Sequence, residues 1–219
     1  MIDFNLLAEH REAILAGVWM TVKMSAGGIS LGLLLGLALH GLRQLGGIWL
    51  VPLYHAYVAL FRGTPLLVQL FLVFYGGPYI GLEWSAERVG LVGLALYGAA
   101  YFAEIIRAGR EAIPRGQIES ARDLGLSPGQ MFRVVLWPQM LARCLAPLVG
   151  QTVILVKESS VLSIITVAEL TNVAMTIANQ SYAMLEPYAV LALSYWAIAI
   201  AVAATGARLE QYFTQYQCR

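Results

Sequence analysis

Apolar residues fall in five long runs with few charges, at residues 13–39, 52–75, 89–109, 145–168 and 188–207. A helix crosses the hydrocarbon core of a bilayer with about 20 mostly apolar residues, and each run reaches that length. A segment in lipid must satisfy its own backbone polar groups, so the pattern predicts an all-α membrane protein with five transmembrane helices. The first run spaces Gly28, Gly32 and Gly36 four apart. Such steps let a neighbouring helix approach closely, although glycine is also simply frequent in membrane helices.

Five spans put the two termini on opposite sides of the membrane. Cytoplasmic segments carry the excess of Lys and Arg. With the C-terminus inside, the inner segments hold Arg43, Arg107, Arg110, Arg115, Arg122, Arg133, Arg143, Arg208 and Arg219, and the outer ones Arg11 and Arg88. Nine against two predicts an outside N-terminus and a cytoplasmic C-terminus. The first residues carry Asp3, Glu9 and Glu12 with only Arg11 basic, so no secretory leader is expected.

Residues 110–143, between spans three and four, form the one long polar connection. Ile113-Pro114-Arg115-Gly116 breaks the third span's helix, and Ile118, Ala121, Arg122 and Leu124 then follow helical spacing up to Gly125. Ser127-Pro128 restarts a helix, with Gln130 placed to close a capping box, and Trp137-Pro138 is expected to end it. Two short helices joined at a glycine predict a rigid cytoplasmic knob; an amphipathic loop lying at the interface fits the same pattern.

Composition supports a membrane protein: 59% of residues are hydrophobic and 12% charged, against about 45–50% and about 25% in soluble domains. The net charge of +1 gives no basic excess for nucleic acid. Cys144 and Cys218 are isolated and predict neither a disulfide nor a metal site. No internal repeat, domain boundary or low-complexity tract stands out, so residues 1–219 are expected to form a single transmembrane domain.

The costly groups sit in the fourth run: Gln151, Lys157 and Glu158. A charge at the bilayer centre costs about 2.5–3.5 kcal/mol on insertion scales and should face a cavity or a partner. Residues seven apart return to one helical face, so Gln151 and Glu158 share a stripe with Leu155 between them. An amide and a carboxylate flanking an apolar contact suit a zwitterionic ligand, with Glu158 for its ammonium and Gln151 for a polar end. A structural ion pair between spans is the competing role for Glu158. Lys157 is rotated roughly 100° away. In the second run, Arg62 is either a partner for a ligand carboxylate or an inter-span partner of Glu104, and Thr64 and Leu67 are candidates to line the cavity.

Glu119-Ser120-Ala121, three residues, Gly125, nine residues and then Val135-Leu136-Trp137-Pro138 resemble the E-A-A loop of binding-protein-dependent ATP-binding cassette (ABC) importer permeases. Ser120, Val135 and Trp137 depart mildly from that pattern. Arg62-Gly63-Thr64-Pro65-Leu66-Leu67-Val68-Gln69, Glu104-Ile105-Ile106-Arg107, Pro114-Arg115-Gly116-Gln117 and Lys157-Glu158-Ser159-Ser160 resemble the polar amino-acid branch of the same family. The resemblance covers nearly all of residues 15–210. It implies that the loop is a coupling helix docking on an ATPase, with Glu119, Ser120, Ala121, Gly125 and Leu126 as coupling residues. It further implies a bacterial inner-membrane location, a second permease copy or a sister permease, two ATPase subunits, and a periplasmic or lipid-anchored amino-acid-binding protein. Members carrying cationic amino acids place acids at both positions matching Gln151 and Glu158, so Gln151 lowers the expectation of arginine or lysine.

No G-x-x-x-x-G-K-[ST] phosphate loop occurs. ATP and magnesium are therefore expected on the ATPase chain, with no cofactor, catalytic residue or metal on this one. His10, His40 and His55 are scattered, and neither H-E-x-x-H nor G-x-S-x-G occurs, which leaves a membrane enzyme with little support. An ion-coupled secondary carrier is the alternative. It should show repeats with broken helices around a midplane site, and five spans do not divide into two equal halves.

Overall fold

The computed structural model describes residues 4–46 and 50–214. Asp3, Cys218 and Arg219, which entered the charge and cysteine arguments, lie outside them. A short helix α1 (Phe4–Glu9) leads into the first span, α2 (Arg11–Leu45). The second crossing is α3 (Leu50–Gly63) and α4 (Leu66–Gly76), closed by a tight turn at Gly77–Ile80. The third is α5 (Ala86–Glu111). Helices α6 (Arg115–Asp123) and α7 (Pro128–Met131) form the polar loop, and α8 (Trp137–Glu158) follows. Past α8 come a 3-10 segment (Ser159–Ile165), a short helix α9 (Leu170–Ser181) and the last span, α10 (Leu185–Thr214). Among the described residues four continuous segments are long and apolar enough to cross a membrane, and the α3–α4 pair is the fifth crossing when counted as one.

The core lies between α2, α5 and α8, with Met24, Leu94, Phe102, Leu155 and Leu162 in one buried cluster. The spaced glycines of α2 face α5. A Cβ on Gly32 would sit 3.0 Å from the Ala95 carbonyl oxygen and 3.4 Å from the Ala99 nitrogen, and one on Gly36 would sit 2.9 Å from the Phe102 Cβ. Close helix approach, rather than the general abundance of glycine, therefore explains their spacing. Large apolar side chains such as Leu34, Leu193 and Trp196 stand exposed on the outer faces.

Three expectations need correction. The second span is not one straight helix, because α3 and α4 meet at 98°. Trp137-Pro138 does not end a helix: a wide π turn at Phe132–Leu136 runs straight into α8. A proline removes one backbone donor and presses on the carbonyl four residues earlier, and the wide turn falls on the residues where that pressure acts. The fourth run is not a single α-helix to residue 168 either. The hydroxyls of Ser159, Ser160 and Ser163 each donate to a carbonyl three residues back, at 2.7–2.8 Å. That bonding suits the tighter 3-10 turn, which stops at Thr166 in the left-handed region (φ 67°). Helix α9 was hidden in the polar stretch beyond it.

Glu169 starts α9. Its buried carboxylate accepts from the backbone N–H of Thr171 (2.9 Å) and Asn172 (3.0 Å), from the Tyr195 hydroxyl (2.8 Å) and from the Thr21 hydroxyl (3.3 Å). One cap thus ties α9 to the first and last spans.

Candidate functional site

The break in the second span is built from its own sequence. Pro65 has no N–H and steers Thr64 away from helical geometry, so α3 ends at Gly63 and α4 restarts beyond Pro65 (φ −63°, ψ 140°). The carbonyls freed by the break need donors, since lipid supplies none. The Thr64 hydroxyl donates to the Leu60 carbonyl at 2.8 Å. The Gln69 amide nitrogen reaches back to the Phe61 carbonyl (3.1 Å), the Thr64 carbonyl (3.2 Å) and the Thr64 hydroxyl (2.9 Å). The Thr64 hydroxyl is thus engaged in the backbone of the break, while the residue itself borders an apolar cavity with Phe61, Val68 and Leu96. Leu67 is half-buried one turn further on.

Arg62 projects from this break toward α5. Its guanidinium lies 5.1 Å from the centre of the Tyr101 ring, and one nitrogen lies 3.5 Å from Glu104. The inter-span pairing of Arg62 with Glu104 is therefore present. Glu104 has better partners, though: Arg107 binds both of its oxygens, at 2.8 and 2.9 Å, and the Tyr54 hydroxyl donates at 2.7 Å. Arg107 also reaches Glu111, which pairs with Arg43 at 3.3 Å. Toward the other end of α5, the Tyr97 hydroxyl meets the Tyr101 hydroxyl at 3.1 Å. A polar track thus runs along α5 from Tyr97 through Tyr101 and Arg62 to Glu104. Sequence reasoning missed both tyrosines. Their spacing with Glu104, at 97, 101 and 104, was the available signal, because it puts all three on one helical face.

The α8 stripe divides on inspection. Leu155 is only 1% exposed and packs against Gly98 of α5, where a Cβ would meet it at 2.9 Å. It is a core residue, and its role as a ligand contact is withdrawn. Gln151 is 6% exposed, and its amide nitrogen has no hydrogen-bond partner among the described residues. Glu158 is half-buried at the last position of α8. A helix C-terminus carries partial negative charge, so a carboxylate there gains nothing from the helix and needs a cation from elsewhere. Lys157 is exposed and has no ion pair among the described residues.

The knob between the third and fourth spans has the expected form. The Leu126 N–H bonds the Ala121 carbonyl (3.1 Å) and the Gly125 N–H bonds the Arg122 carbonyl (2.8 Å), with Gly125 at φ 74°. This is a Schellman end to α6. Ser127 and Gln130 form the reciprocal capping box that starts α7. Underneath, Ile106, Ile113, Leu136 and Met140 make a small core, and Gln139 holds Gln117 of α6 at 2.6 Å. Ala121 is buried in this base, whereas Glu119, Ser120 and Gly125 are exposed and Leu126 is half-buried. Leu124, which was read only as part of the helical spacing, is 79% exposed at the tip. A shallow cavity of about 350 Å³ opens beside Ser120, Leu124 and Leu126.

Residues 28–214 match the family described as binding-protein-dependent transport system inner membrane component. A probable amino-acid ABC transporter permease protein of Bacillus subtilis, YckA, is 35% identical over 99% of this chain and 96% of its own length. The octopine transport system permease protein OccM of Rhizobium meliloti is 35% identical over 85% of this chain and 80% of its own. The crystal structure of an amino acid ABC transporter with histidines superimposes with a TM-score of 0.89 at 32% identity, over 97% of this chain and 99% of that one.

Proposed function

Since the chain belongs to the family of inner-membrane components of binding-protein-dependent transport systems, we propose that it is the permease through which an ABC importer moves a polar amino acid. A binding protein delivers the cargo outside. Two ATPase chains, holding ATP and magnesium, dock on the α6–α7 knob, and a second copy or a sister permease completes the pathway through the lipid. The N-terminus lies outside and the knob inside, in keeping with the basic bias of the inner segments. Cysteine labelling at Gln117 from the outer face of intact cells should fail, and efficient labelling there refutes this orientation.

The observation that supports a cargo site on α8 is Gln151. A buried N–H without a partner costs about 1–3 kcal/mol, and such a group persists where a ligand completes it. Glu158, two turns along the same stripe and set against the helix dipole, takes the cargo's ammonium. Arg62 is the candidate for its carboxylate, with Leu67 beside it. In the reconstituted complex, a panel of amino acids should show one that stimulates ATP hydrolysis. Glu158→Gln keeps the volume and removes the charge, and should weaken the cargo's effect roughly 10- to 150-fold while the complex still assembles. An unchanged concentration dependence places the cargo elsewhere. Failure to assemble makes Glu158 a structural ion-pair member, and purification without any ATPase chain favours an ion-coupled carrier.

A further inference from the structure

We infer that Tyr101, braced by Tyr97, completes the cargo site as the platform that holds Arg62 for the cargo's carboxylate. The inference rests on the placement of the cargo between α5 and α8 proposed above.

Charge accounting in the network singles out Arg62. Among the described residues, Arg43, Arg62 and Arg107 pair with two carboxylates, Glu104 and Glu111. Glu104 already accepts three closer hydrogen bonds from Arg107 and Tyr54. Arg62 makes the longest contact of the set, 3.5 Å, and its side chain is 42% exposed against 27% for Arg107. It is the most loosely held cation of the three, and it sits at a helix break inside a membrane span, where a charge is costly and marks a functional group.

Tyr101 determines where that cation points. A guanidinium stacked on an aromatic face is attracted to the ring and fixed in plane, while its edge N–H groups stay free for a carboxylate. Tyr101 is itself braced: its ring lies 4.9 Å from that of Tyr97, and the two hydroxyls are 3.1 Å apart. One turn of α5, about 6 Å of rise, separates the two positions. The cargo site therefore has an anion-seeking group at Arg62 and, with the ammonium partner Glu158 proposed above, a cation-seeking one. That polarity selects a zwitterion over an amine or a simple carboxylic acid. Tyr101 acts through Arg62 and is a positioning residue.

Equilibrium binding by titration calorimetry on the purified permease–ATPase complex, with the binding protein left out, reads the membrane site alone. The probes are L-histidine with histamine, L-arginine with agmatine, and L-glutamine with 4-aminobutanamide; each pair differs by the α-carboxylate. The wild type should bind at least one amino acid about 10- to 150-fold more tightly than its amine. Arg62→Gln should remove that discrimination. Tyr101→Leu should weaken the amino acid about 2- to 30-fold and narrow its margin over the amine, whereas Tyr101→Phe, which keeps the ring, should restore most of both. Arg62→Lys keeps the charge but not the stacking plane and should resemble Tyr101→Leu, which preserves the test if the leucine variant does not assemble. Wild-type affinity and margin in Tyr101→Leu or Arg62→Lys, or equal damage from Tyr101→Phe, overturn the platform. Discrimination retained in Arg62→Gln overturns the carboxylate site. If the wild type binds none of the six compounds, the amino-acid function itself fails. If Glu158→Gln weakens binding while the Arg62 and Tyr101 variants do not, only the present inference falls.

Discussion

Replacing Gln69 with glutamate tests what holds the second span open. The side chain keeps its length and shape, but its donating NH2 becomes an acceptor. In the native protein that nitrogen serves the Phe61 and Thr64 carbonyls and the Thr64 hydroxyl, while the amide oxygen has no partner at all. Only the donor side therefore contributes to the break. Two backbone carbonyls lose their partner, at about 1–3 kcal/mol each for a buried unmade bond. A protonated glutamic acid can still donate once, which recovers part of one bond. The net loss should be about 2–4 kcal/mol, or roughly 5–15 °C in Tm for a chain of this size. Gln69→Met, which neither donates nor repels, should fall at the lower end. The assay is thermal unfolding of the purified complex, followed through this subunit, with membrane insertion checked separately. If both variants melt within about 1 °C of wild type, Pro65 and packing alone set the 98° bend and the amide staple is incidental.

Three further substitutions probe other parts of the fold. Gly125→Val should weaken copurification of the ATPase, because its φ of 74° costs an L-residue about 1–2 kcal/mol, while Gly125→Asn should stay near wild type; a Cβ there meets open space, so equal damage from both points to a contact surface instead. Gly36→Leu should lower Tm by overpacking α2 on α5, at a cost of about 1–3 kcal/mol, whereas Gly41→Leu, with nothing within 4 Å, should not; matched melting curves would refute the close approach. Glu169→Gln must turn an NH2 toward donors on at least one side of the carboxylate, so it should cost about 1.5–3 kcal/mol and loosen α9 to protease, and unchanged digestion would exclude the cap.

What could be read in advance followed from periodicity and local chemistry. Span positions follow from the length of apolar runs, and the knob from Gly125, Ser127 and Gln130, whose roles depend on neighbours within six residues. The partner of Arg62 was legible too, because a membrane-embedded arginine needs an acid and Glu104 was available. The break at Pro65 was not, because residues 52–75 are apolar on both sides of it and hydropathy does not register a 98° bend. Leu155 was misplaced for a related reason. Helical spacing places it on the Gln151–Glu158 stripe, but only the tertiary fold shows that this part of the stripe faces Gly98 rather than a cavity. The tyrosine pair lay unread in α5 because each phenol on its own is an ordinary membrane residue.

The departures from regular α-helix share one chemical requirement. Backbone that leaves the i to i+4 pattern in lipid exposes carbonyls, and it survives only where something donates to them. At the Gly63–Pro65 break the donors are Thr64 and Gln69; at the π turn, Gln139 donates to the Val135 carbonyl at 3.1 Å while it also holds Gln117; past Glu158, Ser159, Ser160 and Ser163 do the work. Each irregular segment adjoins a proposed working part: Arg62 at the first, the ATPase-docking knob at the second, Glu158 at the third. A polar side chain bonded to a nearby carbonyl is therefore more than a local repair here. It fixes the direction in which the adjacent charged or docking group points. Gln139 joins the two roles in one residue, because the nitrogen that supports the π turn of the fourth span also tethers α6. Any displacement of the knob by an ATPase acts on that turn first, and through it on the helix that carries Gln151 and Glu158.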